Sequence, residues 1–239
     1  TMQLDVLAIA AHPDDVELTC GGTLIKMAQI GYRTGILDLT DGEMGTRGSA
    51  EIRQQEAAAA ARVMGASFRE SLGLPDARVE ATMENKLAIG NKIRQLRPRV
   101  VILPYWEGRH PDHYTCSRAG YEACFLAGLK KLPLEGTAYR PFKILYSTMY
   151  AEVRPTFVVD ITEQFERRRQ AILCYKSQFA PEEESDDGEV FLPLDTLQER
   201  VSATVRQYGL MIGTQYAEPF LVREMVEVED IVKMPVRSI

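Results

Sequence analysis

The chain has 239 residues, with 28 Lys and Arg against 34 Asp and Glu, and a formal net charge of −6. That balance argues against general binding to nucleic acid or to an anionic membrane surface, both of which need concentrated positive charge. No apolar run approaches the roughly 20 residues needed to cross a bilayer.

With 45% hydrophobic and 26% charged residues, the composition is that of a globular protein with a full core. The length suits one α/β domain over 1–239: a core over 1–130, with 131–239 adding further strands, helices and an acidic loop. The four cysteines, Cys20, Cys116, Cys124 and Cys174, have no CxxC spacing. They read as buried free thiols in a reducing cytoplasm. A strand pattern starts at once, with no basic n-region or cleavage site, so no signal peptide is expected.

The first element, Leu4–Ala11, is an apolar run apart from Asp5, the pattern of a strand buried on both faces. Val16–Ile30 has near-helical apolar spacing and ends at Gly31. Thr34–Leu39 reads as a second strand and Thr40–Ser49 as a glycine-rich loop. Ser49 caps a helix over Ala50–Met64, which Gly65 ends. Phe68–Leu72 is a weak strand leading into a Leu-Pro-Asp turn.

A helix follows over Met83–Leu96, stopped by Pro98, and then a fourth strand over Arg99–Leu103. Tyr114–Leu129 is helical. Lys143–Thr148 and Thr156–Asp160 are later strands, and a helix runs from Glu163 to about Gln178. Phe179–Pro193 is an acidic solvated loop. Leu197–Leu210 is a last helix, and Pro219–Arg223 an edge strand. Alternating strand and helix imply right-handed βαβ units: a Rossmann-like three-layer α/β fold, its twisted sheet mostly parallel, with helices on both faces.

All three histidines of the chain fall in two motifs. His12-Pro13-Asp14-Asp15 follows the first strand, and Arg109-His110-Pro111-Asp112-His113 follows the fourth. In a doubly wound sheet of order 3-2-1-4 those strands are neighbours at the switch point, where ligands bind beyond the carboxyl ends of the strands. His12, Asp15 and His113 then supply two imidazoles and a carboxylate, leaving a coordination position for water as in catalytic zinc sites. Asp14 stands by as a general base, and His110 as an acid or oxyanion stabiliser. Asp112 would fix the tautomer of His110. The plainer alternatives are that Asp14 caps a helix, that Asp112 does the same, and that the histidines merely terminate elements.

AHPDDVE with Gly21-Gly22, the TDGEMGTRG loop, Arg53-x-x-Glu56 and HPDH together resemble the PIG-L/LmbE family of zinc-dependent deacetylases acting on N-acetylglucosamine-containing molecules. The GTRGS-x-x-x-R stretch and the Val16 ahead of Glu17 resemble the bacillithiol-biosynthesis branch, whose substrate is N-acetylglucosaminyl-malate. The resemblance implies a zinc ion, with iron or another divalent metal as the alternative, on His12, Asp15 and His113. It makes Asp14 the base, His110 the acid or oxyanion stabiliser with Asp112 as its partner, and places Arg53 near the substrate. It further implies a small-molecule sugar substrate and a homo-oligomer, commonly a hexamer.

Arg47, Arg53 and Arg109 lie near the same loops, and their forks would suit an anionic arm such as malate. The alternatives are surface arginines and, for Arg53, an i,i+3 pair with Glu56. The loop lacks the GxGxxG order of a dinucleotide site. Two histidines and a carboxylate also suit a non-haem iron oxygenase, though such a site is not expected on an α/β sheet. A sugar-binding module without chemistry would leave Asp14 and His110 without a purpose.

Overall fold

The computed structural model describes residues 2–148, 151–179 and 194–236. Seven strands form one sheet in the order β3-β2-β1-β4-β5-β7-β6. They are β1 (Val6–Ala10), β2 (Thr34–Thr40), β3 (Phe68–Leu74), β4 (Val100–Pro104), β5 (Lys143–Ser147), β6 (Phe157–Asp160) and β7 (Ala217–Leu221). The first five pair in parallel, with Val6 level with Val100 and with Thr34. The expected 3-2-1-4 order is present, with β1 and β4 side by side.

Period-two alternation along the strands divides the core between the two faces of the sheet. Leu7, Ile9, Ala11, Leu37, Leu39, Val101 and Leu103 pack with Ile89, Ile93, Cys116, Ala119 and Ala123 from α4 (Met83–Leu96) and α5 (Pro111–Ala127). On the opposite face Val6, Ala8, Ala10, Ile36 and Ile102 pack with Val16, Cys20, Leu24, Ile25, Ala57, Ala60 and Met64. Those partners come from the segment after β1 and from α3 (Ala50–Met64). Gly120 lets α5 approach β4 closely, since a Cβ there would lie 2.5 Å from Cδ2 of Leu103.

Three expectations change. The helix expected over Val16–Ile30 breaks at Cys20 into α1 (Asp15–Thr19) and α2 (Gly21–Gln29), because buried side chains described below terminate each piece separately. The helix toward Gln178 is likewise two pieces, α6 (Phe165–Ile172) and α7 (Lys176–Phe179). The strand near Pro219 is not at the edge: β7 lies between β5 and β6, antiparallel to both. Proline normally marks an edge because it cannot donate to a ladder. Here the β5 ladder reaches only Leu221 and Phe220, so Pro219 stands beyond it. The C-terminal helix, α8, runs Leu194–Ile212. The acidic segment lies outside the described residues from position 180 to 193.

Candidate active site

β1 ends at Ala10, and the chain bends sharply through His12 and Pro13 into α1. Asp14 occupies the N-cap position of α1, yet its side chain makes no capping bond, and its φ of 100° is left-handed. For a non-glycine residue that backbone is costly. The strain turns Asp14 away from the helix and toward the site, which answers the capping alternative. Its Oδ2 lies 3.4 Å from Nη2 of Arg53.

Asp15, the next residue, links the two motifs. Its Oδ2 accepts from the His12 N–H at 3.0 Å and lies 3.3 Å from His12 Nδ1, while Oδ1 lies 3.1 Å from His113 Nε2. Imidazoles 101 positions apart are thereby brought onto one carboxylate. Behind His12, its Nε2 faces Oδ1 of Asp76 at 3.0 Å and Oδ2 of Asp112 at 3.3 Å. Carboxylates only accept, so the proton stays on Nε2 and Nδ1 becomes the available donor. Outer carboxylates orient metal-bound histidines in this way.

His110 is the N-cap of α5, with Pro111 in the first turn, and its Nδ1 accepts the Asp112 N–H at 3.2 Å. Only Nε2 is left for chemistry. The ring stacks on His113, centroids 4.7 Å apart, and meets His12 edge-on at 4.8 Å. The side-chain pairing expected between Asp112 and His110 is absent. The Asp112 carboxylate points back past the helix start, accepting from the N–H groups of Ala77 and Val79 at 2.8 and 3.2 Å and bracing His12.

Asp76 was not identified from the sequence, where it is only the end of a Leu-Pro-Asp turn. It accepts from Met44 N at 2.9 Å and Ala77 N at 2.7 Å, and the Ala77 φ of 60° bends the turn toward His12. A Pro-Asp turn followed by a left-handed residue carries no separate signal of ligand duty.

Burial opposes charging of His12, but the Asp15 and Asp76 carboxylates outweigh it and raise the imidazole to about 11. Burial also opposes ionisation of Asp15, yet His113 and His12 hold it well below the usual carboxylate range. His110 goes the other way, lowered by burial and by the neighbouring positive imidazoles. Burial pushes Asp14 up to about 7 against the pull of Arg53. The donor set suits a divalent ion: Nδ1 of His12 and Nε2 of His113 both contact the Asp15 carboxylate. His110 joins His12 and His113 in a cluster whose nitrogens lie within 4.8 Å, as do donor atoms of His12, Asp76 and Asp112. The second grouping is better read as bracing, because Asp112 is already engaged by two backbone N–H groups.

The arginines separate. Arg53 is buried, donates from Nη2 to Pro13 O at 2.5 Å, and lines an open groove with His12, Asp14, Asp76 and His110. Glu56 binds Ser177 through N and Oγ, so the Arg53–Glu56 pair does not form. Gly42, at φ 69°, lets the glycine loop lie flat on Arg53, since a Cβ there would come within 3.1 Å of the guanidinium. Arg109 is exposed at the mouth of a second cavity beside His110 and His113. Arg47 lines neither space, and its carbonyl accepts from Gln178 at 2.9 Å.

A buried ionic scaffold holds the α1–α2 break. Arg168 donates to the carbonyls of Glu17 and Leu18, closing α1, and meets Glu218 at 3.0 Å. Glu218 accepts from the N–H groups of Gly22 and Thr23 at 2.8 and 2.7 Å, opening α2. Glu17 is held by Arg69 and the Tyr175 hydroxyl, and Arg69 by Asp38. The Gly21-Gly22 pair follows from this arrangement: a Cβ on Gly22 would lie 2.7 Å from Ile161 Cδ1 and 2.9 Å from Glu218 Oε1. Gly22→Ala is therefore expected to cost about 1–3 kcal/mol through overpacking. An unchanged thermal midpoint in that variant would show that the neighbours yield freely.

Comparison with known proteins places the chain among deacetylases of one family. A family profile described as GlcNAc-PI de-N-acetylase (PIG-L) matches residues 7–124. Diacetylchitobiose deacetylase of Thermococcus kodakarensis is 32% identical over 89% of this chain and 80% of its own length. A probable N-acetyl-alpha-D-glucosaminyl L-malate deacetylase 2 of Bacillus anthracis is 28% identical, covering 73% and 81%. The 4-oxalmesaconate hydratase of Pseudomonas putida is 25% identical, covering 74% and 75%. Among solved structures, a conserved protein of Thermus thermophilus superposes with a TM-score of 0.86 at 39% identity, covering 95% of this chain and 98% of that one.

Proposed function

Since this chain belongs to the PIG-L family, we propose that it is a metal-dependent hydrolase that removes the acetyl group from an N-acetylglucosaminyl compound. The observation that carries this reading is the Asp15 carboxylate gripped by His12 and His113, with Asp14 beside it and not used as a cap. A zinc or other divalent ion on His12, Asp15 and His113 would supply Lewis acidity toward the amide carbonyl and acidify a water.

The chain's own groups do the rest. Asp14 takes the proton of the attacking water, and Arg53 holds that carboxylate in place. His110, through Nε2, steadies the developing oxyanion or returns a proton to the departing amine. Asp76 and Asp112 keep His12 in the donor tautomer.

For the sugar's partner, the higher identity to a chitobiose deacetylase favours a short N-acetylglucosamine oligosaccharide over the malate conjugate. The hydratase among the relatives supports a second reading, water addition to a carbon–carbon double bond at the same centre.

The test is acetate release from diacetylchitobiose, N-acetylglucosamine, and the malate and inositol conjugates, with metal analysis of the same sample. The expected result is about one divalent ion per chain and fastest turnover of the chitobiose unit. Faster malate turnover would return the aglycone to the malate branch. Hydration of an unsaturated dicarboxylate with no acetate release from any sugar would select the hydratase reading. Removing the ion with a chelator is expected to abolish turnover and zinc to restore it, whereas undiminished activity in chelator sinks the metal reading.

A further inference from the structure

The histidine cluster stands between two unlike spaces. On the Asp14 side is the open polar groove of Arg53, Asp76, Gly42 and Met44. On the other side is a cavity of about 160 Å³, lined in part by Tyr105 and Arg109. Asp15, His113 and His110 line its near end. Thr19, Glu107 and Thr148 line it too, but much of its wall is small or apolar: Ala8, Ala10, Val16, Cys20 and Ile102, with Ser147 opposite. All six of these residues are buried, and Ser147 Oγ is turned to Thr19 Oγ1 at 3.2 Å. Among the described residues, His110 is the one that lines both spaces.

We propose that the second cavity is the acyl pocket and that it admits acyl groups longer than acetyl, so that the enzyme also cleaves N-propionyl and N-butyryl hexosamines. This rests on the amide-hydrolase reading above and extends it to the acyl side of the bond. An amide at the cluster has two substituents to place. The hydroxyl-rich sugar suits the open groove, where Arg53 and Asp76 offer polar partners, and the acyl chain suits the enclosed space.

Size sharpens the assignment. A cavity of about 150 Å³ lined by aliphatic groups takes up a whole benzene ring. One methyl group leaves most of such a space unfilled. Ala8 and Ala10 bring the β1 floor down to a single methyl at each inward position, and Ser147 does not extend far enough to fill the opposite wall. Each methylene buried there strengthens binding by roughly fourfold.

The chemistry is unchanged. Water oxygen bonds to the acyl carbon and the C–N bond breaks; both water protons end on the amine, which leaves as the ammonium, and the longer acid leaves as the carboxylate.

The test compares kcat/KM for N-acetyl-, N-propionyl- and N-butyrylglucosamine, or the same series on chitobiose, in wild type and in Ser147→Leu and Thr19→Leu, which fill the cavity from different elements. The expected wild-type result is a butyryl rate within about tenfold of acetyl, whereas a methyl-sized pocket would reject each added methylene by 10–200-fold. In a filling variant that retains its thermal midpoint, the butyryl-to-acetyl ratio should fall at least about tenfold. Acetyl turnover with butyryl more than about 100-fold slower in wild type overturns the acyl pocket and leaves the deacetylase reading standing. A butyryl-to-acetyl ratio unmoved in both folded variants also overturns it. No turnover of any amide overturns both readings.

Discussion

Asp14→Asn is expected to lower kcat/KM by about 10³-fold, in the range that loss of a positioned proton acceptor gives, while the protein keeps its metal. The two effects separate because Asp14 is not held by either histidine. Asp15 carries those contacts, and Asp14 is turned away at a left-handed φ with only Arg53 against it. Burial has already lifted the Asp14 carboxyl to about 7, which suits a group that must accept a proton and release it near neutral pH. A cation in the site would add to the downward pull of Arg53 and keep the base ionised.

Asparagine preserves shape and the contact with Arg53 but cannot take the proton. Metal content by mass spectrometry and turnover on the best sugar amide decide the matter. Retained turnover removes Asp14 from the base role, and lost metal moves it into the ligand set. Asp15→Asn should behave oppositely, losing both metal and activity, since its two oxygens serve two imidazoles.

The second large effect lies in the scaffold. Glu218→Ala is expected to destabilise the protein by about 3–5 kcal/mol, the cost of leaving one member of a fully buried ion pair alone. Arg168 would lose its carboxylate, and the N–H groups of Gly22 and Thr23 would lose their acceptor at the start of α2. For a chain of this size, that corresponds to a fall of roughly 6–20 °C in thermal midpoint. The double replacement Arg168→Met with Glu218→Leu should recover only the part due to the stranded charge, because the N–H groups of Gly22 and Thr23 and the carbonyls of Glu17 and Leu18 still lose their partners. A midpoint within about 2 °C of wild type for Glu218→Ala would show that the pair contributes little.

The strands nearest the site were legible because their signals are local. Val6–Ala11 and Val100–Leu103 are unbroken apolar runs, the pattern of a strand covered on both faces. Ser49 and Gly65 bracket α3 as a helix start and stop, with the Ser49 hydroxyl accepting from Ile52 N and Gly65 in the left-handed region. The break at Cys20 was not legible. Apolar spacing runs on through it, and what stops α1 and starts α2 are side chains from Arg168 and Glu218, about 150 and 196 positions later. Pro219 misled in the same way: a proline signals an edge, but how far the β5 ladder reaches is a property of the assembled sheet.

The sequence by itself determined which groups gather at the centre, because the chain has only three imidazoles and each falls with a carboxylate in a short motif after a strand. Motif spacing is local, and strand order follows from handedness and burial. Tertiary structure alone decided which carboxylate serves which ring. Asp76 entered from a turn, Asp112 moved from His110 to His12, and Arg53 exchanged Glu56 for Asp14. A side chain's partner depends on direction and distance after the helices have docked, and directions set by packing across a sheet leave no mark in the order of residues.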